Sequence, residues 1–192
     1  MTYTPIVTER LILDNWTSAY RDAAAVMNAD AHVMRHFLAP LSRVETDAQV
    51  DRQEAALALR GYCFWPIVRR SDGVFLGICG LKDGAPETPI EGEVEIGWRF
   101  DRHAWGQGYA TEAARVALVH GFADPAVARI AAITTLANRE SWRVMERLGM
   151  TPDAGADFDH PAMPIGHPGR PHITHYITRA QFDAATAQGS RA

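Results

Sequence analysis

Cysteine is scarce in this chain, positive charge is in deficit and long apolar runs are missing, and each absence removes a class of protein. The two cysteines, Cys63 and Cys79, lie inside apolar runs at 62–68 and 74–81. That placing suits small buried side chains in a reducing compartment rather than a disulfide or a thiolate metal site. No apolar stretch approaches the ~18–20 residues that cross a bilayer, and the opening Met1-Thr2-Tyr3-Thr4-Pro5 has no basic region leading into an apolar one. A cytoplasmic protein without a membrane partner is expected. With 19 basic residues against 23 acidic ones the net charge is −4, so there is no polybasic footprint for a phosphate backbone. General nucleic-acid binding is therefore not expected.

What is present is the composition of a globular protein. The 192 residues are 47% hydrophobic and 22% charged, enough to bury a core without staples. At roughly 100–200 residues per domain, the expectation is a single domain over 1–192, with its core at about 5–182 and 183–192 as a frayed tail. Residues 6–16 predict one strand, followed by Thr17 or Ser18 as a cap and an alanine-rich helix to about Met27. A helix over 45–59, with Thr46 as its cap, leads to Gly61. Strands over 62–70 and 74–82 form a hairpin, because Ser71-Asp72-Gly73 carries the Asp-Gly pair that favours a tight turn. After a loop rich in Pro, Gly and Thr at 83–92, alternation resumes at 93–100. It sets Val94, Ile96, Trp98 and Phe100 on one face, and Glu93, Glu95 and Arg99 on the other unless a bulge intervenes. Helices over 108–122 and 138–148 bracket a strand at 129–135, and Gly149 closes the second of them. A short strand near Met150, a long loop over 153–171, a strand over 172–178 and a helix from Arg179 complete the chain. Hairpins alternating with single helices imply an α+β domain with helices flanking one central sheet.

The most informative stretch is Trp105-Gly106-Gln107-Gly108-Tyr109-Ala110-Thr111-Glu112-Ala113, because it follows a strand and opens a helix. Backbone N–H groups with no intrahelical partner converge there, and the helix dipole adds about half a positive charge. Such a turn binds a phosphate or pyrophosphate, with Gly106 and Gly108 keeping Cβ atoms out of the way. A glycine turn that serves only strand-to-helix geometry has the same letters. It is not a dinucleotide fingerprint, since Thr111 stands where a third glycine is needed, nor a P-loop, since no Gly-Lys-Ser/Thr follows. Further on, Asn138-Arg139-Glu140-Ser141 opens another helix, where Asn138 read alone is an N-cap.

Taken together, the strand, phosphate turn, helix, strand, Asn-x-x-Ser helix and Leu148-Gly149-Met150 turn resemble the GNAT superfamily of acetyl-CoA-dependent N-acetyltransferases. The opening Thr8-Glu9-Arg10-Leu11-Ile12-Leu13, the strand Glu95-Ile96-Gly97-Trp98 and the Trp105 to Ala113 run look like its RimJ/RimL-type branch. The resemblance spans about 5–182. It implies a GNAT-like α+β fold, with a central mixed, mostly antiparallel sheet splayed in the middle and flanked by helices. It further implies that Trp105, Gly106, Gln107, Gly108, Tyr109, Ala110 and Thr111 hold the pyrophosphate of acetyl-CoA. The backbone of Trp98, Arg99 and Phe100 would pair with the pantetheine arm, and Asn138 and Ser141 would lie along that arm. Two positions depart from the family: His103 begins the loop where Gln or Arg is usual, and Met145 occupies the place of a tyrosine general acid.

Acetyl transfer to an amine needs a neutral nitrogen, a polarised thioester and a proton for the departing thiolate. Glu95 is the first candidate to accept the amine proton and Glu93 the second, the alternative being that either merely solvates a strand face. Ser141 is the nearest hydroxyl for the sulfur. The histidines of the tail (His160, His167, His172, His175) have irregular spacings interrupted by prolines, and no metal is expected. No activated Cys-His pair is evident, so direct transfer in a ternary complex is expected. The acceptor is then an amine, either a peptide N-terminus or a small molecule such as an antibiotic or polyamine, and the protein is a monomer or homodimer. A module that binds acyl-CoA without catalysis is the rival of a different class.

Overall fold

The computed structural model of the chain describes residues 4–189. It resolves into two compact units: one runs to Lys82 and resumes over Gly97–Ala117, and the other takes Asp83–Ile96 and the described residues from Leu118 onward.

The first unit opens with β1 (Ile6–Val7) and β2 (Leu11–Leu13), followed by α1 (Ser18–Ala29), α2 (Arg43–Arg60), β3 (Phe64–Arg69) and β4 (Phe75–Asp83). The single strand expected over 6–16 is thus two short strands, paired antiparallel with Ile6 opposite Leu13. The physical reason is Thr8. Its N–H donates to the Leu11 carbonyl and its hydroxyl oxygen accepts from the Leu11 N–H, both at 2.9 Å, which folds the chain back on itself. β2 continues antiparallel onto β3, and β3 onto β4. The Asp72-Gly73 turn joins β3 to β4 as expected, with Gly73 at a positive φ of 73°.

Helix α1 starts at Thr17, whose hydroxyl accepts from the Tyr20 N–H. Helix α2 starts earlier than expected. Ser42 caps it, and Glu45 returns the bond to the Ser42 N–H at 2.7 Å in a reciprocal capping box. Thr46, the residue expected at that cap, is fully buried and accepts a hydrogen bond from Asn28. Ala24 and Met27 of α1 pack with Val33, Phe75 and Ile78, and Leu11, Leu13, Trp65, Ile67 and Leu76 are all at 0% exposure. Cys63 and Cys79 are free and buried in this unit, and burial pushes both thiols well above their ordinary range.

Strand β5 (Val94–Phe100) belongs to both units: its first residues to the second, the rest from Gly97 to the first. The first unit ends in α3 (Tyr109–Phe122), which it holds as far as Ala117. In the second unit β5 pairs in parallel with β6 (Arg129–Thr135), with Val94 opposite Ile130 and Glu95 opposite Ala131, and the parallel register ends there. Then come α4 (Arg139–Arg147), β7 (Thr151–Pro152), β8 (Phe158–Asp159), β9 (Pro171–Thr178) and α5 (Arg179–Gly189). β9 is antiparallel to β6, β7 and β8. The loop expected over 153–171 therefore contains a short turn of helix at Ala154–Ala156 and a strand. α5 extends past Phe182 to Gly189, while 190–192 of the expected tail lie outside the described residues. The result is a mixed sheet of mostly antiparallel strands flanked by helices, as the α+β expectation required.

Candidate active site

In the first unit, Asp101 caps a single 3-10 turn, Arg102–Ala104, and the chain then passes through Trp105 to Gly108 before α3 begins. Two bonds fix the entry: the Trp105 indole N–H donates to the Phe100 carbonyl at 2.8 Å, and the Gln107 amide donates to the His103 carbonyl at 2.7 Å. His103, the departure from the family pattern, lies 3.1 Å from the Asp101 carboxylate and so belongs to the turn itself. Gly106 and Gly108 have φ of 72° and 80°, which side chains rarely adopt. A Cβ on Gly106 would meet no protein atom, and one on Gly108 only the Arg10 guanidinium at 3.5 Å. The space beside the loop is therefore open. Among the described residues, no N–H from 106–111 donates to a backbone carbonyl outside α3, and the first four N–H groups of a helix have no partner within it. These groups fit a pyrophosphate.

A brace that sequence reasoning missed holds this loop. The Glu112 carboxylate accepts from the Thr8 hydroxyl at 2.6 Å, the Arg10 N–H at 3.1 Å and the Arg10 Nε at 2.6 Å, with Arg10 Nη2 also at 2.6 Å. Arg10 Nη1 donates to the Gln107 carbonyl at 3.0 Å, and its guanidinium stacks over the Tyr109 ring at 4.8 Å. Burial raises the Glu112 carboxyl, but the bonds from Thr8 and Arg10 outweigh it and hold the group below the usual carboxylate range. The signal was present as the Thr-Glu-Arg and Ala-Thr-Glu-Ala motifs. Their spacing, about a hundred residues, hid the pairing.

Also in the first unit, Trp98 and Arg99 on β5 are half-buried and Phe100 is buried. In the second unit, Glu95 is 6% exposed, so it does not solvate a strand face. Glu93, the second candidate base, is held by both nitrogens of the Arg129 fork. Asn138 caps α4, accepting from the Ser141 N–H at 3.3 Å, while its own amide donates to Thr134 at 2.9 Å. Met145 is buried at 1%, so a core thioether stands where the family resemblance places a phenol. The structure thus groups the loop residues Trp105 to Thr111 with Trp98, Arg99 and Phe100 in one unit, and Glu93, Glu95, Asn138 and Ser141 in the other.

Of the tail histidines, His172 and His175 are buried, and desolvation lowers both, so they are neutral at pH 7. The His160 and His172 rings lie 4.8 Å apart beside Phe158. Among the described residues no group of three His, Cys, Asp or Glu is placed to hold a metal ion.

The model of the GNAT acetyltransferase domain matches residues 10–151. The chain belongs to the GNAT acetyltransferase family. It is 32% identical over 150 residues to YkkB, an uncharacterized protein of Bacillus subtilis, covering 77% of this chain and 85% of that one. The crystal structure of a GNAT-family acetyltransferase from Bacillus anthracis superposes with a TM-score of 0.74 at 24% identity, covering 91% of this chain and 98% of the other. The spermidine N-acetyltransferase of Vibrio cholerae, solved with CoA and spermine, superposes with a TM-score of 0.69 at 13% identity over 91% and 99% of the two chains. The GNAT fold expected from the sequence is the observed fold, and the chain is an acetyl-CoA-dependent acyltransferase. No helix among the described residues is long and apolar enough to cross a membrane.

Proposed function

We propose that this GNAT enzyme is an N-acetyltransferase of the RimJ/RimL-type branch, acting on a low-pKa primary amine, foremost a peptide or protein N-terminal α-amine. The observation that carries it is the run of N–H groups at 106–111, open at the start of α3 and braced by Arg10 and Glu112. The brace joins two of the motifs on which the RimJ/RimL resemblance rests. The whole chain, 1–192, acts as a single cytoplasmic acetyltransferase domain, monomeric or homodimeric.

In the proposed reaction the N–H groups of 106–111 bind the pyrophosphate of acetyl-CoA and the backbone of Trp98, Arg99 and Phe100 pairs with its pantetheine arm, while Asn138 and Ser141 are the residues of the second unit that the family resemblance assigns to that arm. The neutral amine forms the C–N bond to the thioester carbonyl carbon as the C–S bond breaks. Glu95 takes the proton that the nitrogen sheds, directly or through water, and the thiolate gains one in turn, supported by the Ser141 hydroxyl. Glu93 is the poorer base, because protonating it would break its pairing with Arg129. Direct transfer is favoured over an acetyl-enzyme, because both cysteines are buried with raised thiol pKa values.

Buried Met145 bears on the acceptor. An α-amine with pKa about 7.7–8.0 needs only about 1–1.4 kcal/mol to be neutral at pH 7, whereas a lysine amine near 10.4 needs about 4.6. A site with a methionine in place of the phenolic acid suits the first. Thiol release from acetyl-CoA, followed with peptide α-amines, lysine side chains, polyamines and aminoglycosides, tests the proposal. Preference for a peptide with a free N-terminus and blocked lysine is the expected result. Preference for the reverse peptide, a polyamine or an aminoglycoside overturns the acceptor class, and CoA binding without release from any amine favours the non-catalytic module.

A further inference from the structure

Arg99 is a half-buried cation whose hydrogen bond, among the described residues, goes to a neutral side chain. Its Nη1 donates to the Asn28 Oδ1 at 2.7 Å, a neutral partner. Its Nε is cut off from solvent without a hydrogen-bond partner among the described residues. Two other arginines behave differently. Arg10 closes its fork on Glu112, and Arg179 donates to the carbonyls of Phe122, Asp124 and Val127 at 2.6–2.9 Å. The Arg99 Nε is thus a donor left without an acceptor among the described residues, on a guanidinium whose planar fork suits a carboxylate.

The surroundings hold the guanidinium in place. Asn28, 1% exposed on α1, donates through its amide to Thr46 at 3.2 Å and Gln49 at 3.1 Å on α2, so its oxygen is fixed toward Arg99. The guanidinium carbon lies 4.1 Å from the centroid of the Phe37 ring, a cation–π contact. Burial lowers the pKa of Arg99 to about 10, which leaves it charged at neutral pH.

We propose that Arg99 is the receptor for a carboxylate carried by the acceptor amine. The proposal rests on the N-acetyltransferase function argued above and narrows its substrate class. A single cation among neutral groups matches one negative charge better than a phosphate dianion. The pyrophosphate already has its own donors at 106–111, so the charge left to be bound at Arg99 is the acceptor's. A carboxylate there receives a charge-assisted bond in a partly desolvated setting, which strengthens it.

Matched dipeptides with equal α-amines test this: Ala-Asp amide against Ala-Asn amide, and Ala-Ala against Ala-Ala amide, each followed by thiol release from acetyl-CoA. The expected result is a kcat/KM preference for the carboxylate member of at least one pair of about 10- to 100-fold, the worth of a charge-assisted pair. Arg99→Gln should bring the ratio within each pair to about 1. Arg99→Lys, which keeps the charge and loses the fork, should leave an intermediate ratio. Asn28→Asp, which offers the guanidinium an internal anion with little change of shape, should also lower the preference. It serves as the second variant if Arg99→Gln does not fold. Equal rates within both pairs in the wild-type enzyme overturn the proposal, as does a preference that survives both Arg99→Gln and Asn28→Asp.

Calorimetric titration with the acetylated dipeptides reads the same preference without turnover. If no amine releases thiol, the enzymatic function fails while the titration still decides the anion site. Titration with CoA and dephospho-CoA separates the other anion source. If Arg99→Gln weakens CoA and not dephospho-CoA, the charge serves the cofactor's phosphate and the acceptor assignment falls.

Discussion

Replacing Glu112 by Gln strikes the brace on the glycine loop at its centre. In the native chain one carboxylate, 19% exposed, receives the Thr8 hydroxyl, the Arg10 N–H and the Arg10 fork. A glutamine keeps one oxygen for Thr8 and the Arg10 N–H, but turns an amide donor toward the guanidinium. The loss is then the charge-assisted part, about 2 kcal/mol, because the pair is partly buried and forked rather than a loose surface pair worth 0–1 kcal/mol. In a domain of this size each kcal/mol shifts Tm by about 2–4 °C, so a fall of roughly 4–8 °C is expected. The second consequence is local. Arg10 also holds the Gln107 carbonyl at 3.0 Å, and a guanidinium freed from Glu112 loses that position. Losing one such bond from the ordered loop, about 1.4 kcal/mol, weakens CoA about tenfold by calorimetric titration. The pH dependence carries a sign. Glu112 has a depressed pKa when folded, so its contribution is full above the unfolded value of about 4.3 and disappears as pH falls through the folded pKa. Glu112→Gln should therefore lower Tm at pH 7 and converge with the wild type in acid. Wild-type CoA affinity in a folded Glu112→Gln, or a Tm deficit that persists unchanged at low pH, would refute the brace.

Gly108→Val forces a β-branched residue to a φ of 80°, costing about 1–3 kcal/mol of strain, and places carbon where the proposed phosphate would sit. CoA affinity should drop clearly in titration, and unchanged affinity in a folded variant removes the loop assignment. Glu95→Gln should lower turnover about 10²–10⁴-fold with CoA affinity nearly intact, and full activity would shift the base to Glu93 or to bulk water. Cys63 and Cys79 are buried with raised thiols, so a thiol reagent at pH 8 should label neither until denaturant is added. Rapid labelling of the native protein would reopen the covalent route.

The fold was legible where structure is set by neighbours in sequence. Asp72-Gly73 specified its hairpin and Gly149 its helix end, because both act through backbone geometry within a few residues. The strand over 6–16 was misread because apolar alternation does not register a threonine hydroxyl folding the chain back at Leu11. The start of α2 was legible and passed over: Ser42 and Glu45 spell the capping box, whereas Thr46 was needed for the buried amide of Asn28. Glu95 shows the deeper limit. Alternation along β5 separates two faces, but in a sheet with helices packed on it both faces can be buried, and period two no longer tells inside from outside.

The site was legible as motifs and illegible as a device. The glycine turn could be read as a candidate anion site because the chemistry it offers lies in consecutive backbone groups, which need no partner from elsewhere in the chain. Thr8, Arg10 and Glu112 could be read only as letters of a resemblance, since what unites them is a carboxylate shared across the fold. The same holds for Arg99, which sequence places on a strand expected to lend only its backbone. What distinguishes it is the neutrality of its contacts among the described residues: an asparagine oxygen locked by two helices, an aromatic face and an Nε with no acceptor. A half-buried cation with its Nε desolvated and unpartnered is costly. The cost is offset if an anion arrives with the substrate, because pairing then strengthens binding of the acceptors that carry one and discriminates against those that do not.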